Sequence, residues 1–161
     1  MSNTVNVLIV GVGGQGVLRT SQVLADVLMR QGHDVKQSEV HGMSQRGGSV
    51  VSEVRYGDTV YSPLTPEQAA DFIIALNDDE GRRAEPRLRP GSGRLITTPR
   101  ALVDQLDDIR GKNMAALGRL SSHLDISSET WHDAIRHHMP PKSVESNIAA
   151  FDAGARFEED S

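Results

Sequence analysis

The amino-acid sequence predicts an α/β fold, a three-layer domain with a mostly parallel sheet plus an antiparallel hairpin, followed by C-terminal helices. Three observations support this prediction. The chain has 161 residues, which suits a single domain over residues 1–161. Its first third combines β-branched apolar runs with a helical pattern. Its last third contains amphipathic helical patterns separated by turn residues and prolines.

The first third of the chain has the clearest pattern. Residues 5–10 form an apolar, β-branched run that predicts a buried strand, and residues 17–31 place apolar side chains on one helical face. Gly32 is typical of the position that ends such a helix. Residues 34–40 predict a second strand. A strand–helix–strand order usually forms a right-handed unit with a parallel strand pair, so we expect a Rossmann-like start.

The middle of the chain predicts two more strands and a helix start. Residues 49–56 alternate between the two sides of a strand, and Gly57-Asp58 with residues 59–61 predicts that a hairpin follows. Residues 65–68, Thr-Pro-Glu-Gln, resemble a capped helix start with proline at the first helical position. Residues 72–76 predict another buried strand.

The second half of the chain predicts one strand and several helices. Trp131 and Ile135 are expected in core or interface packing, and Asp78-Asp79-Glu80 is expected at a helix start, where acidic residues suit the helix dipole. The spacing of the three histidines at 132, 137 and 138 does not predict a zinc site. The expected elements are a short helix within residues 78–89, a strand at 94–98, helices at 101–106, 114–120 and 128–138, and a last amphipathic helix marked by Val144, Ile148, Phe151 and Ala155.

Composition excludes several classes of function. The net charge is −5, without the concentrated basic face that nucleic acid or an anionic membrane surface requires. The chain has no cysteine, so it holds no disulfide and no iron–sulfur cluster bound by thiolates. No apolar run approaches the roughly 20 residues of a membrane span, and the first residues lack a signal-peptide pattern. We therefore expect a cytoplasmic protein.

A glycine-rich turn between the first strand and the first helix is the first candidate site. Its pattern is G-x-G-x-x-G, in which glycines permit a tight turn and the following helix offers free N–H groups to an anion. Binding of a dinucleotide would need an acidic residue at the end of the second strand. Asp34 comes too early, and Glu39 runs into a second loop. Packing of the helix on the sheet, another anion and a subunit contact remain alternatives. The candidate residues are Gly11, Gly13, Gly14, Gln15 and Gly16.

The loop that follows the second strand is the second candidate site. By chain order it emerges beside the glycine-rich turn, at the edge where open α/β sheets bind ligands. Arg46 can form two parallel hydrogen bonds with a phosphate or carboxylate. A solvated loop without a ligand is the alternative. The candidate residues are His41, Gly42, Met43, Ser44, Gln45, Arg46, Gly47 and Gly48.

Together the two loops resemble a known family. The sequence Gly-Val-Gly-Gly-Gln-Gly-Val-Leu at 11–18 and the stretch at 39–50 are similar to the gamma-type domain of 2-oxoacid:ferredoxin oxidoreductases, particularly of the indolepyruvate type. His-Gly-Met-Ser-Gln-Arg-Gly-Gly at 41–48 is the specific part of this resemblance, which spans residues 5–157. Residues 97–112 are short for the family. Further matches are Val54-Arg55, Asn113-Met114, Leu117-Gly118, Pro141-Lys142, Asn147 and Ala150-Phe151.

The resemblance implies a function that depends on a partner. The family decarboxylates 2-oxoacids oxidatively with thiamine diphosphate, coenzyme A and ferredoxin, and a large alpha-type subunit carries the thiamine diphosphate and the 4Fe-4S clusters. The chain would then hold no cofactor and no metal by itself, contribute no catalytic residue, reach ferredoxin through the complex, and form a homodimer when isolated. The alternatives are a stand-alone NAD(P)- or nucleotide-binding module and a homo-oligomeric binding protein.

Overall fold

The computed structural model describes residues 3–41 and 48–159, and within them five strands form one sheet. The order across the sheet is β2-β3-β1-β4-β5. β4 runs parallel to β1 and to β5, whereas β3 runs antiparallel to β1 and to β2. The sheet is therefore mixed, with as many antiparallel as parallel neighbours. The strands are β1 (Val5–Val12), β2 (Asp34–His41), β3 (Ser49–Gly57), β4 (Phe72–Ala75) and β5 (Arg94–Ile96).

The described helices confirm most of the sequence predictions. The Ser127 side chain accepts a hydrogen bond from the N–H of Thr130 and so caps the predicted helix that begins at residue 128. Gly32 follows the first helix and has a φ of 89°. In the part of the chain described, no helix is long and apolar enough to cross a membrane. The helices are α1 (Val17–Arg30), α2 (Asp78–Ala84), α3 (Arg100–Val103), α4 (Lys112–Ser121), α5 (Ser128–His138) and α6 (Val144–Arg156).

Alternation along β1 separates two apolar layers. Val7 and Ile9 face the larger core, which α1, α4, α5 and α6 complete. Leu8 and Val10 face a smaller cluster that includes Ala84 of α2. Helices thus cover both faces of the sheet, and the predicted α/β class, three layers and C-terminal helices are confirmed.

Two glycines bring α4 and α6 into backbone contact. A side chain at Gly154 would overlap the carbonyl oxygen of Ala115, and one at Gly118 would overlap that of Phe151. Phe151 also packs against Trp131, with 5.3 Å between ring centroids. This close packing confirms the predicted core position of Trp131, and it fixes the starts of α4 and α6 beside α1.

The predicted parallel pairing of the first two strands is wrong, because β3 lies between them. Val50 and Val54 of β3 join the larger core, and Val51 packs against the smaller cluster on the other face. A strand that is largely buried on both faces suits the interior of a sheet, whereas β2 is polar and more exposed and forms the edge. The antiparallel hairpin is therefore formed by β2 and β3.

The predicted strand at residues 59–61 and helix start at 65–68 are also wrong. The Val60 N–H donates to the Asp34 carboxylate at 2.8 Å, so its hydrogen-bond acceptor is a side chain and not the backbone of a neighbouring strand. Arg55 donates to the carbonyl oxygen of Ser62 at 2.6 Å. Gln68 has a φ of 52°, which interrupts any helix there. Side chains of β2 and β3 thus hold the segment after β3 through hydrogen bonds to its backbone.

Candidate functional site

The glycine-rich turn lies at the carboxyl ends of β1 and β4. Gly11 and Val12 end β1, and α1 begins at Val17. Gly14 and Gly16 have φ values of 87° and 82°, which side chains rarely adopt. The first described backbone bond of α1 runs from the Thr20 N–H to the Gly16 carbonyl oxygen, so the N–H groups before it have no acceptor within the helix.

Gln15 braces this turn. Its Oε1 accepts a hydrogen bond from the Val12 N–H at 2.8 Å, and its Nε2 donates to the Leu76 carbonyl oxygen at 3.1 Å. A side chain at Gly11 would lie 2.9 Å from Gln15 Oε1. Gln15 and Gly11 therefore tie the end of β1 to the end of β4 and set the position of the turn.

The two candidate loops meet through their backbones. The N–H of Gly13 donates to the carbonyl oxygen of Gly48 at 3.3 Å, and among the described residues no atom beyond the chain neighbours lies within 4 Å of the position of a Gly13 side chain. The structure thus brings the described ends of the two loops together at one edge of the sheet, as the chain order predicts. The remaining candidates in the second loop lie outside the described residues, and they are Gly42, Met43, Ser44, Gln45, Arg46 and Gly47.

The acidic residue that a dinucleotide would need is absent from its position in the described part of the chain. Glu39 pairs with His41, with 3.0 Å between the carboxylate and Nε2. Asp34 lies at the opposite end of β2, where hydrogen bonds from the Val60 N–H and from Lys36 hold the pKa of its carboxyl below the usual value. Because β3 separates β2 from β1, neither carboxylate lies on the strand next to the glycine-rich turn. This geometry disfavours NAD(P) binding.

Asn113, on α4, is a site residue that the sequence indicated only through the family resemblance. Its side chain reaches the glycine-rich turn, because a side chain at Gly16 would lie only 2.5 Å from Asn113 Nδ2. Asn113 is 9% exposed, and its buried Oδ1 has no hydrogen-bond partner in the part of the chain that the structure describes. Nothing in local periodicity distinguishes it from the neighbouring core residues of α4.

Three cavities meet at Gly16. One of about 440 Å³ lies toward β2 and is lined by Gly13, Leu18 and His41. A second of about 400 Å³ lies between the turn and Lys112, and a third of about 710 Å³ extends to the start of α6. The glycine-rich turn therefore forms a wall common to all three.

Two histidines away from this edge each contact a single carboxylate. His132 Nε2 lies 2.6 Å from Asp152, and His138 Nε2 lies 3.0 Å from Asp26. The described residues contain no group of three side chains that could hold a metal ion. These pairs connect helices and do not line the cavities at Gly16.

The fold and the glycine-rich turn define a class of protein, the α/β domains in which such a turn connects a strand to the start of a helix at the carboxyl edge of a sheet. The sequence matches the family model described as pyruvate ferredoxin/flavodoxin oxidoreductase over residues 6–157. The chain belongs to this family. Its membership favours the oxidoreductase interpretation over a stand-alone nucleotide-binding module.

Known relatives extend this assignment. The indolepyruvate oxidoreductase subunit IorB of Thermococcus kodakarensis is 31% identical over 191 aligned positions, which cover 94% of this chain and 94% of the relative. Because the alignment is longer than the 161 residues of this chain, the relative contains residues without a counterpart here.

Two solved structures confirm the fold. The gamma subunit of the keto/oxoacid ferredoxin oxidoreductase from Geobacter sulfurreducens has a TM-score of 0.74 and 22% identity, and the match covers 93% of this chain and 95% of that one. The 2-oxoglutarate:ferredoxin oxidoreductase from Magnetococcus marinus, solved with 2-oxoglutarate, coenzyme A and succinyl-CoA bound, has a TM-score of 0.80 and 21% identity. That match covers 96% of this chain and 31% of the other.

Proposed function

We propose that this chain is the small accessory subunit of a 2-oxoacid:ferredoxin oxidoreductase of the indolepyruvate type, inactive alone and located in the cytoplasm. The observation that carries the proposal is the family match over residues 6–157, joined to an identity of 31% with an indolepyruvate oxidoreductase subunit. The reaction would be the oxidative decarboxylation of a 2-oxoacid to an acyl-CoA.

The amino-acid composition of this chain supports the proposal that a partner holds the redox groups. The sequence has no cysteine, so thiolates for 4Fe-4S clusters must come from another subunit. A large alpha-type subunit would carry these clusters and the thiamine diphosphate, which supplies the carbanion chemistry of decarboxylation, and would pass electrons to ferredoxin. The role left to this chain is to complete the assembly and to bind and orient an anionic group.

The carboxyl edge of the sheet suits contact with coenzyme A or with the 2-oxoacid. The open space at Gly13 and the uncapped start of α1 can accept an anionic group, and Arg46 is proposed to pair with it. The proposed contact residues are those of the two loops, Gly11, Gly13, Gly14, Gln15 and Gly16, with His41 to Gly48.

Exposed apolar side chains near this edge support docking of a partner there. Leu18 is 44% exposed, and Ile109 is 69% exposed, and each lines one of the cavities that meet at Gly16. Val40 near the end of β2 is also exposed. Apolar surface beside a polar cleft is typical of an interface. Without its partner, the chain is expected to form homodimers through this surface.

Reconstitution tests the proposal. The chain is co-expressed with a large thiamine-binding subunit of this family, and dye reduction is measured with indolepyruvate and with 2-oxoglutarate. We expect co-purification and activity only when both chains are present, with indolepyruvate preferred. Failure to co-purify, together with no effect of the chain on dye reduction, would refute the proposal.

A pair of arginine variants tests the second loop. Arg46→Ala should lower the activity of the complex while the melting temperature of the isolated chain stays nearly unchanged. Arg82→Ala, in α2 on the face of the sheet away from α1, is the matched control and should leave activity intact. A large loss of melting temperature in Arg46→Ala would make this residue structural. Calorimetry with NADH and NADPH tests the alternative, since micromolar binding would favour a nucleotide-binding module.

A further inference from the structure

In the described chain, the hydrogen-bonded ladder between β1 and β4 stops one bond short of the glycine-rich turn. The two strands pair in parallel as far as Val10 and Ala75, and the N–H of Leu76 then donates to the carbonyl oxygen of Val10 at 2.8 Å. In a regular parallel ladder, the next bond would join the Val12 N–H to the Leu76 carbonyl oxygen. Both of these groups bind the Gln15 side chain instead.

The Gln15 amide is inserted between the two strand ends. Its Oε1 accepts from the Val12 N–H at 2.8 Å, and its Nε2 donates to the Leu76 carbonyl oxygen at 3.1 Å, so one amide takes the place of one direct backbone bond. The backbone N–H of Gln15 also donates to the Val12 carbonyl oxygen, at 3.2 Å. Gln15 thereby binds both backbone polar groups of Val12 and holds the ends of β1 and β4 apart by the width of an amide.

Gly11 leaves the room that this amide occupies. A side chain at Gly11 would lie 2.9 Å from Gln15 Oε1 and 2.9 Å from Val17 Cγ2. It would also lie 3.3 Å from Leu76 Cβ. Because a methyl group cannot approach two atoms this closely in a packed interior, a larger residue at this position would displace the amide or Val17. Gly11 and Gln15 therefore act together at the end of β1.

The separated strand ends lie at the point where the chain connections diverge. β1 leads through α1 to β2 at one edge of the sheet, whereas β4 leads through α2 to β5 at the other edge. In open α/β sheets, ligands bind in the crevice outside the carboxyl ends of two such strands. A cavity of about 400 Å³ lies there, and Gln15 and Leu76 both line it.

We infer that Gln15 is a positioning residue, whose inserted amide keeps the ends of β1 and β4 apart and so sets the glycine-rich turn for ligand binding. The inference rests on the proposed function and deepens it, because it gives one of the proposed contact residues a role that is exerted through the backbone of the turn. The amide oxygen and an amide hydrogen are both engaged within the chain, so the anionic group meets the turn that Gln15 holds in place.

Steady-state kinetics of the reconstituted complex separate positioning from folding. Gln15→Met removes both hydrogen bonds at nearly constant side-chain size. We expect KM for coenzyme A or for indolepyruvate to rise about fivefold, the factor that corresponds to one lost hydrogen bond, while kcat changes by less than about twofold. Unchanged kinetics would overturn the positioning role. A fall in kcat with both KM values unchanged would also overturn it, because it would show only a loss of folded complex.

The isosteric variant Gln15→Glu adds a readout that depends on pH. Its ionised carboxylate can accept from the Val12 N–H but repels the Leu76 carbonyl oxygen, whereas the protonated acid can donate to that oxygen and restores both bonds. The ratio of KM between variant and wild type should therefore fall toward one as the pH is lowered toward the pKa of the new glutamate, which the carbonyl oxygen raises above the usual value of about 4.3.

Gln31→Glu is the matched control for the pH series. It makes the same change at the exposed far end of α1, and its ratio of KM to that of wild type should stay constant with pH. A constant, raised ratio in Gln15→Glu as well would overturn the inference, because protonation would then restore nothing.

Hydrogen exchange at the Val12 amide tests the inserted amide in the full chain without any measurement of activity. The Val12 N–H should be protected in wild type and should exchange about fivefold faster or more in Gln15→Met, since its acceptor is then lost. Equal exchange rates would overturn the inference. A protected Val12 N–H in a chain that never supports dye reduction would instead count against the proposed function alone.

Discussion

The α4–α6 helix pair and the glycine-rich turn before α1 both rely on glycines that lie against a neighbouring segment. In the helix pair, Gly118 and Gly154 allow backbone to touch backbone, next to the buried ring of Phe151. At the turn, Gly16 faces the Asn113 side chain, and cavities open on both sides. The comparison shows that one set of glycines allows close packing of helices, whereas the other borders open space at the turn.

The largest effect is expected in the helix pair. Gly154→Ala would place a methyl group on the Ala115 carbonyl oxygen, and neither backbone can move without separating the helices. We expect a loss of about 3 kcal/mol or more in the free energy of unfolding, although alanine is the better helix former. Urea denaturation measures it. A loss below about 1 kcal/mol would show that α4 and α6 are not packed this closely.

A smaller effect is expected at the turn. Gly16→Ala forces a side chain into a left-handed backbone conformation and against Asn113, whose amide end can rotate away. We expect a loss of roughly 1–2 kcal/mol in the free energy of unfolding, measured by urea denaturation. An equal loss of stability in Gly16→Ala and Gly154→Ala would contradict the distinction between the two regions.

The contact between Asp26 of α1 and His138 of α5 tests how the helix that follows the turn is held in the fold. Partial burial raises the pKa of Asp26, but hydrogen bonds and charge from Arg30 and His138 more than offset this, so the pKa lies below its usual value. The carboxylate therefore stabilises the fold above its unfolded pKa of about 3.9. This stabilisation is lost as the pH falls through the lower, folded pKa. Asp26→Asn should cost about 1 kcal/mol at pH 7.

Thermal denaturation between pH 7 and pH 2 measures the difference in stability between wild type and Asp26→Asn. The melting temperatures of wild type and Asp26→Asn should converge at the acidic end of the range. A constant gap over the whole range would show that the loss in Asp26→Asn does not come from its charge.

The smallest effect is expected at Gly13. Within residues 3–41 and 48–159, no atom beyond the chain neighbours lies within 4 Å of a side chain built there, and its φ is not positive. Gly13→Ala should therefore change the free energy of unfolding by less than about 0.5 kcal/mol. Its methyl group would instead narrow the open space at the meeting point of the loops, which the activity of the reconstituted complex measures. A large loss of stability would show that this space is filled in the folded chain.

The sequence predicted those elements whose signals are local. The apolar run of β1, the periodicity of α1 up to Gly32, and the Ser127 cap of α5 each act within a few residues, and the structure confirms them. The two glycine loops likewise indicated the family, because their residues are adjacent in the chain. These loops also supplied the candidate site, of which the structure describes the glycine-rich turn and the ends of the second loop.

The tertiary structure alone decided the strand order, the path of the chain after β3, and the partner of Gly16. Insertion of β3 between β1 and β2 depends on burying both of its faces, which strand periodicity does not report. The segment after β3 is held by hydrogen bonds with the side chains of Asp34 and Arg55, although its own sequence predicts a hairpin and a capped helix start. Asn113 lies against Gly16, although the two residues are far apart in the sequence. Such contacts join residues distant in sequence and have no period, so only the packed chain brings them together.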